Sequence, residues 1–135
     1  MVEHVEHEGV TLAIIIPANH SGDGIEFFTE KNYSQQLAFM RRPEGYMIAP
    51  HVHLPVPRQV VYTQEVLFIR KGIVRVDFYD KHEKYLKSRI LEAGDCILLA
   101  QGAHGFEMLA DSEMIEVKQG PYTEHDKRKF NDSRK

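Results

Sequence analysis

The sequence predicts an all-β protein, folded as a single domain of 135 residues. Glycine and proline interrupt the chain at short intervals, the runs between them are rich in β-branched and aromatic residues, and helical periodicity is nearly absent. About ten short strands at this spacing are typical of a β-sandwich or β-barrel. A chain of this length buries enough surface to fold without a disulfide or a metal, so a metal site here would serve a function.

Period-two alternation identifies the strands, and it is clearest from Ile73 to Tyr79, where every second residue is apolar. The polar stretch from Asp80 to Lys84 then indicates a hairpin loop, which leaves His82 exposed. The same reasoning predicts the other strands, in chain order, at Leu12–Ile16, Ile25–Phe28, Gln36–Arg41, Tyr46–Ala49, Glu65–Lys71, Tyr85–Leu91, Asp95–Ala100, Gly105–Leu109 and Glu113–Lys118.

We expect three segments along the chain: an N-terminal strand or strands with a loop at 1–24, the main barrel at 25–120, and a charged tail at 121–135. The stretch before the first apolar run, with His4 and His7, predicts an edge strand or a disordered segment. The tail is the one place where a short helix could form, and its many charges favour a solvated C-terminus.

Charge and cysteine content exclude several classes of function. The chain has 17 Lys and Arg against 20 Asp and Glu, a net charge of −3, so neither a nucleic acid nor an anionic membrane is expected as a partner. The apolar run Leu12–Pro17 is too short to span a bilayer. The single cysteine, Cys96, excludes an internal disulfide and a thiolate-rich zinc site, and it favours a reducing, cytoplasmic location.

Two of the eight histidines, His51 and His53, are separated by one residue. In an extended strand, residues i and i+2 project to the same face, so both imidazoles could address one ion. By itself such a pair is more often two surface histidines than a metal site.

The residues around this pair form two wider patterns, Gly45-x5-His51-x-His53-x11-Glu65-x6-Gly72 and Gly94-x5-Ala100-x-Gly102-x-His104. They resemble the two motifs of the cupin superfamily, over residues 45 to about 108. The resemblance implies a double-stranded β-helix, or jelly-roll, barrel. It also implies that His51, His53, Glu65 and His104 bind a divalent transition metal ion.

The chain is more narrowly similar to small single-domain cupin metalloproteins associated with bacterial polysaccharide biosynthesis clusters. This likeness depends on the segments 63–69, 102–107 and 117–122. It implies no particular reaction. It does imply a homodimer, since small cupins commonly pair through edge strands.

The chain departs from the cupin motifs in two places. Eleven residues separate His53 from Glu65, where many cupins have far fewer, so 54–64 must form an excursion that Pro55 and Pro57 stiffen. In the second motif Ala100 stands at the proline position, and a single residue separates Gly102 from His104.

Three imidazoles and one carboxylate form a mixed nitrogen and oxygen site that suits Fe, Mn, Ni, Cu or Zn. Four protein ligands leave one or two coordination positions open, which is typical of a catalytic site. Strand parity places Phe106 and Met108 on the face of His104, so we expect an apolar pocket beside the metal.

Polar residues that could bind a substrate are few. Arg42 and Arg58 are candidate contacts for a phosphate or sugar nucleotide, because a guanidinium binds such anions in bidentate geometry. Tyr62 or Tyr46 could act as a general acid. Arginines at such positions are more often simply solvent-exposed, and most tyrosines there are simply packed.

These patterns favour a metal-dependent enzyme acting on a small molecule, such as a sugar or sugar-nucleotide isomerase or epimerase, or a dioxygenase. The alternative is a non-catalytic cupin that binds or senses a small molecule. A metal-free sugar epimerase on the same barrel would need a base paired with a buried carboxylate and no ion, and His51 and His53 followed by Glu65-x6-Gly72 favour a metal instead.

Overall fold

A computed structural model describes residues 1–134, and the fold is all-β, as predicted. No α-helix occurs among these residues, and none of their helical turns is long and apolar enough to cross a membrane. The strands are β1 (Glu3–His7), β2 (Val10–Ile16), β3 (Gly24–Phe27), β4 (Ala38–Arg41), β5 (Glu65–Lys71), β6 (Ile73–Tyr79), β7 (Tyr85–Glu92), β8 (Cys96–Leu99), β9 (Ala103–Met108) and β10 (Glu113–Lys118).

The chain forms two compact units. The first consists of Met1–His20 and the chain from Thr63 onward, and the second of Ser21–Tyr62. Eight strands lie in the first unit, in a five-stranded sheet of order β1-β2-β8-β5-β10 and a three-stranded sheet of order β7-β6-β9. All the pairings are antiparallel.

One hydrophobic core fills the first unit, with contributions from both sheets. Alternate residues of the strands point into it, which is why the period-two pattern could be seen in the sequence. Each large side chain that is fully buried contributes roughly 1.5–3 kcal/mol to stability. The core residues are Val5, Leu12, Ala13, Ile15, Leu67, Ile69, Val74, Val76, Phe78, Leu91, Ile97 and Leu99.

Gly72 makes the tight turn from β5 to β6. Its φ of +92° lies in the region that favours glycine, and a Cβ at this position would collide with the backbone of Asp111 and Ser112. Ser112 Oγ accepts a hydrogen bond from the backbone N–H of Ile73, at 3.2 Å, which ties the two loops together. Glycine is therefore required at position 72 by the geometry of this turn.

The second unit contains the hairpin of β3 and β4. Its loop is held by Gln36, whose side-chain amide donates to the carbonyls of Glu30 and Tyr33 at 3.0 and 3.1 Å. From Arg42 to Tyr62 the chain forms no strand.

The predicted strand at Tyr46–Ala49 is therefore wrong, and His51 and His53 do not lie on a strand either. Two prolines explain the difference. Pro43 begins a turn, in which the Tyr46 N–H donates a hydrogen bond to the Pro43 carbonyl at 3.1 Å. Pro50 has no N–H to donate to a neighbouring strand. At the N-terminus, the sequence predicted either an edge strand or a disordered segment, and the structure shows an edge strand, β1 of the five-stranded sheet.

The C-terminal tail is not simply solvated, which corrects that prediction for its last residues. A single 3₁₀ turn, Glu124–Asp126, forms where a helix was thought possible. Further on, the Phe130 ring meets the Tyr79 ring edge-on, at 5.2 Å between centroids. The apolar residue among the tail's charges is the reason, since its ring packs on an aromatic residue of β6.

Candidate functional site

Glu65 and His104, two of the four ligands that the resemblance implies, lie close together in the first unit. Glu65 begins β5, and His104 lies on β9 opposite the buried Phe78 of β6. Their strands belong to different sheets, so the two side chains approach each other across the interior. Glu65 Oε1 lies 3.5 Å from His104 Nε2, and the side chains are only 17% and 25% exposed.

This environment keeps the Glu65 carboxyl ionised. The contact with His104 is the largest influence and lowers the pKa of Glu65 to about 2, against the opposing effect of burial. The positive charge of Lys118 lowers it further. A carboxylate that is ionised at neutral pH is the form that binds a metal ion or accepts a proton.

Glu116 and Lys118 on β10 were not predicted as part of the site. Lys118 pairs with Glu65 in the sheet, and Glu116 pairs with Leu67, so both lie on the face that Glu65 shares with the core. A hydrogen bond with Glu65 is the main reason that the pKa of Glu116 is raised above its ordinary value. The alternation of β10 was visible in the sequence, but its register against β5 was not.

His51 and His53 lie close together in the second unit, although no strand holds them. Their ring centroids are 5.2 Å apart at an interplanar angle of 76°. The His51 Nδ1–H donates to the Ala49 carbonyl at 2.8 Å. This bond leaves the lone pair on Nε2 of His51, which is how a metal-binding imidazole is usually oriented.

Imidazole nitrogens and carboxylate oxygens are ligand types that transition metal ions accept. Ligand atoms bound to one ion at about 2.0–2.2 Å are roughly 3–3.5 Å apart, so the distance between Glu65 and His104 is compatible with a shared ion. Within residues 1–134, no three or more His, Cys, Asp or Glu side chains form a group that could hold a metal. Glu65 and His104 thus form a pair in the first unit, and His51 and His53 form a separate pair in the second unit.

Phe106 and Met108 lie on the same face of β9 as His104, opposite the buried Val76 and Val74. They are nevertheless 36% and 46% exposed, because β9 is an edge strand with one neighbour. The apolar surface predicted beside His104 is therefore partly open to solvent. Glu107, one residue out of parity, turns to the opposite face and pairs with Arg75 at 2.6 Å, as its position predicts.

The polar candidates for substrate binding all belong to the second unit. The Arg42 guanidinium stacks over the Tyr46 ring, 4.5 Å from its centroid, and this contact holds it near the start of the segment that carries the two histidines. Arg58 and Tyr62 are exposed on the excursion after His53.

Comparison with known proteins identifies no family. No protein-family model matches the chain, and neither a curated protein nor a solved structure matches it. Its function must therefore be inferred from the residues and distances described above.

Proposed function

We propose that this chain is a cupin-type metalloprotein that binds a divalent transition metal ion through His51, His53, Glu65 and His104. The main support is the contact between Glu65 and His104, at 3.5 Å. These two side chains are 39 positions apart in the sequence and lie on different sheets, yet they meet at a largely buried point beside an apolar core. The proposal includes the jelly-roll topology that the sequence motifs imply.

A purely structural ion pair explains this contact less well. Replacing a partly buried charged pair by apolar side chains of similar size is often neutral or stabilising, so stability alone does not explain why this pair is present. The His51 side chain supplies independent support, since its hydrogen bond to Ala49 leaves Nε2 available as a ligand.

A bound metal ion would polarise a substrate oxygen, lower the pKa of water or, if redox-active, activate dioxygen. Around it, Glu65 would supply negative charge, and the neighbouring Glu116 has a pKa that its hydrogen bond with Glu65 raises. Phe106 and Met108 offer an apolar flank for a small substrate. We propose a sugar or a sugar nucleotide as that substrate, with Arg42 or Arg58 binding its anionic group and Tyr62 donating a proton.

One observation favours a second function, acid–base catalysis without a metal. The His104 imidazole is paired with a largely buried carboxylate, which resembles the arrangement that a metal-free sugar epimerase requires. The neighbouring Glu116, whose pKa is raised by its hydrogen bond with Glu65, is the candidate acid of this alternative.

Metal analysis of protein purified without a histidine tag distinguishes these functions. We expect the wild-type chain to bind one ion, and His51→Ala, His53→Ala, Glu65→Gln and His104→Ala each to lower the affinity at least about tenfold in a chelator competition. His82→Ala, in an exposed loop, is the matched control. Full metal content in the four variants would refute the site.

Activity assays then separate turnover from binding. The second function is supported if the wild-type chain binds no metal yet has epimerase activity, and if His104→Ala lacks that activity. Tight binding of a small molecule without turnover supports a sensing role. Self-association through edge strands is proposed on the resemblance alone, and sedimentation analysis tests it directly.

A further inference from the structure

A second cluster of charged and aromatic side chains lies on the outer face of the three-stranded sheet. Its centre is Asp77 of β6, which is only 4% exposed. Arg75 donates to both carboxylate oxygens, at 2.9 and 3.2 Å, and Ser88 Oγ donates to one of them at 2.5 Å. The sheet itself therefore holds this buried carboxylate in place.

Arg134, near the end of the tail, binds to the same carboxylate. Its guanidinium lies 3.0 Å from Asp77 Oδ2 and 3.3 Å from the Tyr79 hydroxyl. The Arg134 Cζ also lies 4.0 Å from the centroid of the Tyr85 ring. A carboxylate beside an aromatic face matches the planar, cationic guanidinium better than it matches an ammonium group.

Asp132 and Ser133 bind the end of the tail to the sheet by hydrogen bonds. Asp132 accepts a hydrogen bond from the Tyr79 hydroxyl at 2.8 Å, and Ser133 Oγ accepts one from the Tyr85 N–H at 2.9 Å. The segment that leads to this anchor, residues 121–129, is exposed throughout. The tail is thus attached at its end, by contacts with Tyr79 and Tyr85 on the three-stranded sheet.

We propose that Asp77, Tyr79 and Tyr85 form a guanidinium-binding site, which Arg134 fills in the closed chain and which takes an arginine side chain of a peptide when the tail is released. The site is preformed, because Arg75 and Ser88, which hold Asp77, belong to the sheet and not to the tail. Departure of the tail therefore exposes an oriented acceptor and an aromatic face. The proposal is independent of the metal site.

Opening the site in the full-length chain tests this proposal. Arg134→Ala removes the internal occupant, and ethylguanidinium serves as the probe. Shifts of the Tyr85 and Ser88 backbone amides in NMR titrations report binding. We expect Arg134→Ala to bind ethylguanidinium at least tenfold more tightly than the wild-type chain, whose site is filled, and to bind ethylammonium more weakly.

Two further variants make the experiment specific. Arg128→Ala removes a tail arginine that pairs with Glu83, so it should behave like the wild-type chain. Adding Asp77→Asn to Arg134→Ala should abolish the tighter binding. The proposal is refuted if all variants bind ethylguanidinium equally tightly, or if ethylammonium binds to Arg134→Ala as tightly as ethylguanidinium does. It is also refuted if the NMR shifts lie away from Tyr85 and Ser88.

Discussion

Replacing Glu65 by glutamine should remove a contribution to stability that depends on pH. In the metal-free chain the pKa of Glu65 is lowered from 4.5 to about 2, chiefly by His104. A carboxyl group with a lowered pKa stabilises the fold above its unfolded pKa, and this contribution is lost as the pH falls through the folded value. The relevant window therefore runs from about pH 4.5 down to about pH 2.

The size of the effect follows from this difference in pKa. The contribution of Glu65 to the free energy of unfolding is at most about 3 kcal/mol at pH 7. It is about half of that at pH 3, because Glu65 is then mostly protonated in the unfolded state and only slightly protonated in the folded state. The neighbouring Glu116 offsets part of the gain, because the same contact raises its pKa. Glutamine resembles the protonated acid, so Glu65→Gln should differ most from the wild-type chain at neutral pH.

Urea unfolding followed by circular dichroism, with a chelator present at pH 7 and at pH 3, measures this difference. Glu113→Gln is the control, since Glu113 pairs with Arg70 at an exposed position and such pairs contribute about 0–1 kcal/mol. The reasoning fails if the gap between the wild-type chain and Glu65→Gln is unchanged at pH 3, or is larger there than at pH 7.

Three further outcomes can be measured on the same protein. Ile69→Ala empties a fully buried position on β5 and should lower the free energy of unfolding by about 2–5 kcal/mol in urea titrations; a loss below 1 kcal/mol would contradict the described register. Gly72→Ala should destabilise the chain clearly more than Gly9→Ala, because both have positive φ but only the former meets the Asp111 backbone; equal melting temperatures would contradict this. Cys96 should react with iodoacetamide more slowly than a free thiol at pH 8, because burial raises its pKa, and a rate equal to that of glutathione would show it to be accessible.

Local sequence patterns predicted most of the strands, because alternation of apolar residues reflects which face of a strand is buried. The turn glycine after Glu65 could be recognised in the same way, since its backbone angle is a local requirement. The segment from Tyr46 to Ala49 shows the limit of this approach. Its composition suits a strand, but no neighbouring strand pairs with it, and the prolines around it withhold donors.

The sequence by itself determined the strand pattern, the spacing of the candidate ligands and the absence of a thiolate site, because these depend on residue identity and short-range geometry. Only the tertiary structure decided that Glu116 lies beside Glu65 and that Arg134 returns to Asp77. Both contacts join residues about fifty positions apart. Such contacts depend on strand register and on packing between distant segments, and no local pattern in the sequence encodes them.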